Sequence, residues 1–237
     1  MDSGPALRRH AVILHPGEPE GGRWQVAGLP ELLARLLAAA GPAHGRPVIV
    51  AIDGRGGAGK SVLARRLREL VPKSAVVHTD DIAWHHAMFD WGPRLRRHVV
   101  EPLRRGESVD FAPPEWRRRG RPGAVSVPGG LDVVWVEGTG ILRSELADVL
   151  DAGVWVQGDL DEQERRLVER DGDAPEMRRH KQDWLTEELP FLLRERPWES
   201  ATVLVDGTSD LPHDPDTEVV VGDRTPLLEV RPDPRVD

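Results

Sequence analysis

VIVAIDGRGGAGKSVLARRL, residues 48–67, is the stretch that decides the fold. It passes from an apolar strand through a glycine-rich turn into a helix, and the turn at 54–61 matches the pattern G-x-x-x-x-G-K-[S/T]. Glycines let a backbone wrap around phosphates with its N–H groups pointing inward, and the helix that follows presents its positive N-terminal end. The stretch predicts a phosphate-binding loop; a chance glycine turn before a helix is the alternative interpretation.

The residues at the end of this loop point to a nucleotide and its metal ion. In loops of this pattern the lysine, here Lys60, reaches the β- and γ-phosphates, and the hydroxyl of the next residue, here Ser61, ligates Mg²⁺. We therefore predict ATP and Mg²⁺ as cofactors. The predicted nucleotide-binding residues follow one another through the loop into the helix: Gly54, Gly56, Gly57, Ala58, Gly59, Lys60, Ser61 and Val62.

Strands and helices alternate along residues 46–210. Apolar segments typical of buried strands lie at 47–53, 74–80, 132–138, 152–159 and 201–207. Helical patterns cover 60–71, 94–106, 161–170 and about 176–194. This alternation predicts a parallel sheet with helices on both faces, and together with the loop it predicts an α/β fold of the P-loop NTPase class.

The two ends of the chain differ from this central domain. Residues 1–45 are predicted to form an N-terminal extension packed on the core, with a strand at 10–15 (HAVILH) and a helix at 29–40. Residues 211–237 are rich in Asp and Pro and are predicted to be a partly flexible tail. Within that tail, TEVVVGD at 217–223 is predicted to be an edge strand.

Composition excludes several classes of function. The chain has 237 residues, a formal net charge of −8 at pH 7 and no cysteine. The acidic balance does not favour nucleic-acid binding. The apolar runs are far shorter than the ~18 residues of a membrane span, and the first residues lack an apolar signal core. We therefore expect a cytoplasmic protein without a nucleic-acid or membrane partner; a homo-oligomer remains open.

Carboxylates follow two of the predicted strands. The second strand ends in Asp80 and Asp81, and the third ends in Glu137. Because the carboxyl ends of parallel strands face one crevice, Asp80 and Glu137 are expected beside the phosphate loop. There Asp80 could take a proton from a phosphate acceptor, while Glu137, with Asp80 and Ser61, could serve Mg²⁺. The alternative is that Asp80 and Asp81 cap the next helix, which is the favoured interpretation for Asp81.

Arginines cluster on the helix that follows the fourth strand. Arg166 and Arg170 are four residues apart and therefore share a face. A small-molecule kinase needs such arginines on a lid to hold the phosphoryl group in transfer. The alternative is a solvated helix in which the arginines pair with neighbouring glutamates.

The segment after Asp80 and a later arginine-rich loop are the candidates for acceptor binding. Trp84, His85 and Phe89 could provide a flat ring on which a nucleobase stacks, although core packing explains such aromatics equally well. The stretch PPEWRRRGRPG, which contains Arg118, is interpreted as a surface loop, or as a flap whose arginines meet an anionic substrate.

The chain resembles the uridine kinase and phosphoribulokinase group of P-loop kinases. The matching segments, in order, are IDGRGGAGKS, HTDDIAWHHAMFDW, LRRHVVEPLRRGESVDF, VVWVEGTGIL and RRLVERDG. The resemblance implies that Asp80 is the catalytic base, Glu137 a carboxylate on the Mg²⁺ side, and Arg166 and Arg170 the lid. The family often has Phe-Tyr after the catalytic aspartate, whereas this chain has Ile82-Ala83-Trp84 and no tyrosine.

The expected activity follows from these assignments. We expect an ATP-dependent phosphotransferase that moves the γ-phosphate to a hydroxyl of a small molecule, with the 5′-hydroxyl of uridine or cytidine favoured. One alternative is a kinase for pantothenate, a sugar or a sugar phosphate. Another is a regulatory protein that binds ATP without turning it over, which the base at Asp80 argues against.

Overall fold

The computed structural model describes residues 12–20 and 23–222. Within them the strands are β1 Trp24–Gly28, β2 Val48–Gly54, β3 Ser74–His78, β4 Val109–Phe111, β5 Val125–Val127, β6 Val133–Glu137, β7 Ala152–Gln157, β8 Val203–Asp206 and β9 Glu218–Gly222. Seven of these strands form the main sheet, in the order β1-β9-β8-β7-β2-β6-β3. The stretch from β8 to β3 is parallel, as predicted, and β9 and β1 add an antiparallel pair.

The helices are α1 Leu29–Ala40, α2 Lys60–Leu70, α3 Thr79–Ala83, α4 Gly92–Leu95, α5 Glu101–Arg104, α6 Pro114–Arg118, α7 Leu160–Asp171, α8 Pro175–Glu195 and α9 Pro197–Ser200. A wide π turn over Arg96–Val100 joins α4 to α5 into the helix predicted at 94–106. A short 3₁₀ turn spans Ser144–Leu146. None of the helices in the described part of the chain is long and apolar enough to cross a membrane.

The main sheet is buried on both faces, which explains why its central strands are apolar throughout. Every residue of β2 is buried, and its side chains alternate between two cores. Val50 and Ile52 face α1 and α2, whereas Ile49 and Ala51 face the opposite layer, which contains Phe191 of α8. A sheet covered on both sides leaves its carboxyl edge as the place for a site.

The prediction of an edge strand at 217–223 is corrected by the structure. Residues 218–222 do form β9, but β9 lies between β8 and β1, so it is not an edge. The reason is that β1 pairs with it along its full length, from Trp24 opposite Gly222 to Gly28 opposite Glu218. Within the predicted strand 10–15, residues 12–15 are not in a strand, and residues 10 and 11 lie outside the described residues, as does the tail beyond 222.

A small hairpin segment, residues 109–127, stands apart from the main sheet. Its strands β4 and β5 pair antiparallel, and α6 lies between them. The stretch interpreted from the sequence as a surface loop or flap contains a short helix here, and Pro114 begins it. Proline is tolerated at the first helical position, where its missing N–H would have no intrahelical partner.

Candidate active site

The phosphate-binding loop joins β2 to α2 at the carboxyl edge of the sheet. Gly54, Gly57 and Gly59 have φ values of 150°, 77° and 101°, which favour glycine. A Cβ on Gly57 would lie 2.4 Å from the carbonyl oxygen of Gln163 in α7, so the loop is backed closely by that helix. Since α2 begins at Lys60, its N-terminal end faces the space inside the loop, as the sequence predicts.

Lys60 lies half-buried under this loop. Its Nζ donates to the carbonyl oxygen of Arg55 at 2.9 Å and contacts Oγ1 of Thr139 at 3.3 Å. Burial lowers the pKa of Lys60, and the charges of Glu137, Asp53 and Asp80 oppose that shift. A cation surrounded by carboxylates at the start of a helix is placed to meet phosphate oxygens.

Glu137 is the centre of a short hydrogen-bonded chain at the end of β6. The Ser61 hydroxyl donates to its Oε1 at 3.0 Å, and Nδ1 of His78 lies 2.5 Å from the same oxygen. Burial alone would raise the pKa of Glu137, but the hydrogen bond with His78 and the charge of Lys60 hold that pKa below its ordinary value. Glu137 is therefore a carboxylate.

Asp80 is an exposed residue in the first turn of α3. Its carboxylate accepts no hydrogen bond from any described residue, and neither Asp80 nor Asp81 caps the helix. Desolvation raises the pKa of Asp80, the charge of Lys60 lowers it, and the charge of Glu137 raises it again. An unpartnered carboxylate close to Lys60 and Glu137 can accept a proton from a bound hydroxyl.

The side chains of Ser61, Glu137 and Asp80 suit a Mg²⁺ ion that binds together with the phosphates of a nucleotide. Mg²⁺ prefers oxygen ligands and is usually held by one or two protein groups together with phosphates and water. Ser61, Glu137 and Asp80 offer that chemistry. Among residues 12–20 and 23–222, no group of three or more His, Cys, Asp or Glu side chains converges as a metal site, so the protein does not provide a complete cage.

A cavity of about 350 Å³ opens beside the loop, between α2, α7 and the segment after β8. Its lining includes Gly59, Val62, Arg166, Gly207 and Thr208. The volume suits a small organic ligand, and the lining mixes apolar side chains with polar and charged ones. The cavity adjoins the phosphate loop at Ala58 and Gly59, and Asp80 is not among its lining residues.

The two predicted lid arginines lie in different surroundings on α7. Arg166 donates to Oε1 of Glu162 at 2.8 Å and to the carbonyl oxygen of Gly207 at 2.9 Å, so it lines the cavity. Arg170 pairs with Asp171, which raises the pKa of Arg170, and the charge of Asp80 contributes to the same shift. The solvated-helix interpretation fits their neighbour Arg165, which pairs with Glu162 and Glu169.

The hairpin segment is joined to α3 by contacts with Asp81. Arg121 donates to Oδ1 of Asp81 at 2.5 Å and lies 3.5 Å above the Trp116 ring. The Trp84 ring is 5.2 Å from the same guanidinium and meets the His85 ring edge-on at 4.4 Å. Asp81 is thus an ion-pair partner, which corrects its interpretation as a helix cap.

Two predicted acceptor residues are placed elsewhere. Phe89 is buried and stacks on Phe191 at 4.5 Å, so its ring belongs to the core and is no platform for a base. Arg118 is exposed and pairs with Glu115 at 2.7 Å, in α6 on the hairpin segment. The core-packing and surface alternatives are therefore the ones the structure supports for these two side chains.

Sequence reasoning missed Asp53, which is buried in β2 just before the loop. Its carboxylate accepts from the backbone N–H groups of Gly54, Gly140 and Leu142, at 2.6, 2.8 and 2.7 Å. Burial raises the pKa of Asp53 to about 6. The available signal was an aspartate inside an otherwise apolar strand, since such a residue must find buried partners.

Among solved structures that resemble the chain is one described as a possible uridine kinase from Bacillus stearothermophilus. It is 16% identical in sequence, the alignment covers 74% of this chain and 96% of that chain, and the TM-score is 0.50. The chain has the fold of a P-loop kinase. The predicted fold class, and the resemblance to uridine kinase-like P-loop proteins, are confirmed at the level of this fold.

Two further structures are similar to this P-loop kinase fold. One is described as a fructose transport system kinase from Silicibacter sp. TM1040, an assignment that its description marks as provisional; it is 18% identical and covers 73% of this chain and 91% of its own, with a TM-score of 0.45. The other is TT1252 from Thermus thermophilus, at 20% identity, 70% and 91% coverage and a TM-score of 0.40. No family model and no curated protein matches the chain.

Proposed function

We propose that the chain is an ATP-dependent kinase that transfers the γ-phosphate to a hydroxyl of a small molecule, with the 5′-hydroxyl of a nucleoside such as uridine or cytidine as the favoured acceptor. The observation that carries the proposal is the Asp80 carboxylate. It is exposed, accepts no hydrogen bond within the described chain, and interacts electrostatically with Lys60. A module that only bound ATP would have no use for a base there.

The residues divide the reaction between them. Asp80 accepts the proton of the attacking hydroxyl, and Lys60 together with the loop N–H groups holds the β- and γ-phosphates. Arg170 interacts electrostatically with Asp80. It stabilises the negative charge on the phosphoryl group during transfer. Ser61, Glu137 and Asp80 are the residues that would hold Mg²⁺, which would supply positive charge to the phosphates. Arg166 and Val62 line the cavity proposed for the nucleoside part of ATP.

The charges around the acceptor side favour an uncharged substrate over a sugar phosphate or pantothenate. Arg121, the arginine nearest to α3, is already neutralised by Asp81. Arg94 and Arg118 share Glu115, at 2.7 Å each. To pair with one of these three arginines, a substrate phosphate or carboxylate would have to displace its present carboxylate partner. The half-buried Trp84 offers a ring on which a base could stack instead, with His85 beside it. A neutral sugar remains the second candidate acceptor, because it too carries no charge.

The test is transfer of phosphate from ATP in the presence of Mg²⁺ to a panel of uridine, cytidine, fructose, pantothenate and ribulose 5-phosphate. We expect transfer to a nucleoside. Asp80→Asn keeps the size of the side chain and removes the base, so kcat should fall by about 10²–10⁴-fold while ATP still binds. Transfer to another alcohol only would keep the kinase and discard the nucleoside, and transfer that is insensitive to Asp80→Asn would remove the base from the mechanism.

Asp110→Asn is the matched control. Asp110 is an exposed aspartate on β4, outside the proposed catalytic residues. Its replacement should leave kcat unchanged, which separates loss of the base from a general effect of removing one negative charge.

A further inference from the structure

A buried ion pair joins the phosphate loop to α8. Arg55, the first variable residue of the loop, is 9% exposed, and Glu188 of α8 is 1% exposed. Both Nε and Nη2 of Arg55 donate to Oε2 of Glu188, at 3.2 and 3.0 Å. Charges taken out of water are costly, and a buried pair is often no more stabilising than apolar residues of the same size. Stability alone is therefore a weak reason for this pair.

Arg55 also touches the lysine of the loop. Its carbonyl oxygen accepts from Nζ of Lys60 at 2.9 Å, while its side chain extends in the other direction to α8. Arg55 thus connects Lys60, the cation proposed to bind phosphate, to α8, the helix that follows α7. The second oxygen of Glu188, Oε1, has no hydrogen-bond partner among the described residues, so the carboxylate is committed to Arg55.

The segment at residues 12–20 lies near this pair. Glu18 and His15 are buried there, and both interact electrostatically with Arg55 and Glu188. Oε1 of Glu18 accepts from Nε1 of Trp155 at 3.1 Å, and Oε2 accepts from the backbone N–H of His15 at 2.8 Å. The same segment is bonded to the start of α7, where the N–H of Leu160 donates to the carbonyl oxygen of Ile13 at 2.9 Å.

We propose that the Arg55–Glu188 pair positions the phosphate loop against α8, so that Lys60 is aimed correctly only while the α7–α8 hairpin is seated. Glu188 is then a positioning residue, which acts through Arg55 and touches no substrate. The inference rests on the proposed function to the extent that it needs ATP phosphates at the loop. It adds a second requirement to that function, namely an intact contact between the loop and α8.

The test separates positioning from stability. Arg55→Leu and Glu188→Leu each leave one buried charge without its partner, so each should lower both Tm and ATP affinity. The double variant Arg55→Leu/Glu188→Leu removes both charges, and we expect its Tm to return close to the wild-type value. Its affinity for ATP in the presence of Mg²⁺, measured by calorimetry without any acceptor, should remain lowered by tenfold or more.

Arg46→Leu is the control. Arg46 pairs with Asp151 at 2.7 Å at the opposite edge of the sheet, so its loss should change Tm and leave ATP affinity unaltered. If the double variant regains both Tm and ATP affinity, the pair is merely structural and the inference is overturned, while the proposed function stands. If the wild-type chain itself binds no ATP, the proposed function fails and this inference fails with it.

Discussion

Lys60 concentrates the chemistry of the site in one side chain. It is a cation held among Glu137, Asp53 and Asp80 in a desolvated position, where it is placed for phosphate and contributes little to packing. Lys60→Ala should therefore abolish ATP turnover, by about 10²-fold or more, and leave the circular dichroism spectrum unchanged. The exposed Lys73 is the matched control, since Lys73→Ala should retain turnover. Wild-type turnover in Lys60→Ala would contradict the assignment of the loop.

Glu18 leads to a second prediction at the residue scale, which concerns how the free energy of unfolding depends on pH. Burial raises its pKa from 4.5 to about 7 in the folded protein. Between these values the folded state keeps a proton that the unfolded state has released, so the free energy of unfolding falls as the pH rises through this window. The loss amounts to about 3 kcal/mol and is complete once the pH exceeds the folded-state value.

Glu18→Gln should remove this dependence. The variant is expected to unfold at a higher temperature than wild type at pH 8 and to differ little at pH 5, as measured by thermal unfolding at both values. Asp53, with its pKa raised to about 6, contributes a slope of the same sign that persists in the variant. Glu20→Gln, in the same segment but exposed, should follow wild type; equal slopes in wild type and Glu18→Gln would show that Glu18 is ionised throughout.

Local residue signals were sufficient to expect Lys60, Ser61, Asp80 and Glu137 at one edge of the sheet, because each lies at the end of an apolar strand or within a glycine pattern; their roles stay predictions. Pairs that are distant in sequence were beyond such signals. Glu188 meets Arg55 across 133 positions of the chain, and no local rule links a glutamate in the middle of a helix to a loop residue so far away. Phe89 shows the converse limit, since an aromatic residue beside a site has the same local pattern whether it stacks on a ligand or on Phe191.

Among the elements, α7 carries two arginines, Arg166 and Arg170, in different surroundings. Arg166 lines the cavity beside the loop, whereas Arg170 interacts electrostatically with Asp80. Arg166→Ala should therefore raise the KM for ATP, and Arg170→Ala should lower kcat with a smaller effect on that KM. Steady-state kinetics with varied ATP distinguish the two. Arg165→Ala on the solvated face should change neither, and the same response from Arg166→Ala and Arg170→Ala would contradict the division.

The hairpin segment at 109–127 is fastened to α3 through Arg121. Removing this guanidinium leaves Asp81 without its ion-pair partner and frees the Trp84 and Trp116 rings from their shared contact. We expect Arg121→Ala to raise the KM for the acceptor about tenfold and leave the KM for ATP unaltered, in assays where each substrate is varied in turn. Arg119→Ala, on the exposed end of the same segment, is the control and should leave both constants unchanged.

For the whole molecule, a ligand that binds only the folded state should stabilise it. At a concentration of ATP and Mg²⁺ about 100 times Kd, the gain is about 2.7 kcal/mol. For a domain of this size that corresponds to a rise in Tm of about 5–10 °C, measurable by differential scanning fluorimetry. Lys60→Ala should show a much smaller rise. An equal rise in both proteins would mean that ATP binds elsewhere.

The parallel part of the sheet could be predicted because each of its strands is an apolar run, and helices follow most of them along the chain, although only a short 3₁₀ turn lies between β6 and β7. The antiparallel part could not. The sequence at 217–223 reads as a strand, but nothing within it indicates a neighbour on both sides, and WQVAG at 24–28 carries too little apolar alternation to stand out as that neighbour. Strand existence is a local property, whereas strand order depends on the whole chain.

The pairing of β1 with β9 has a consequence for synthesis. A ribosome makes β1 first, yet in the described chain its sheet neighbour is β9, the last strand to emerge. Until then the backbone N–H and C=O groups of β1 have no sheet partner and remain bonded to water. A nascent chain that stopped before Glu218 would contain the loop, Asp80, α7 and α8, but β1 would not yet have the strand with which it pairs in the sheet.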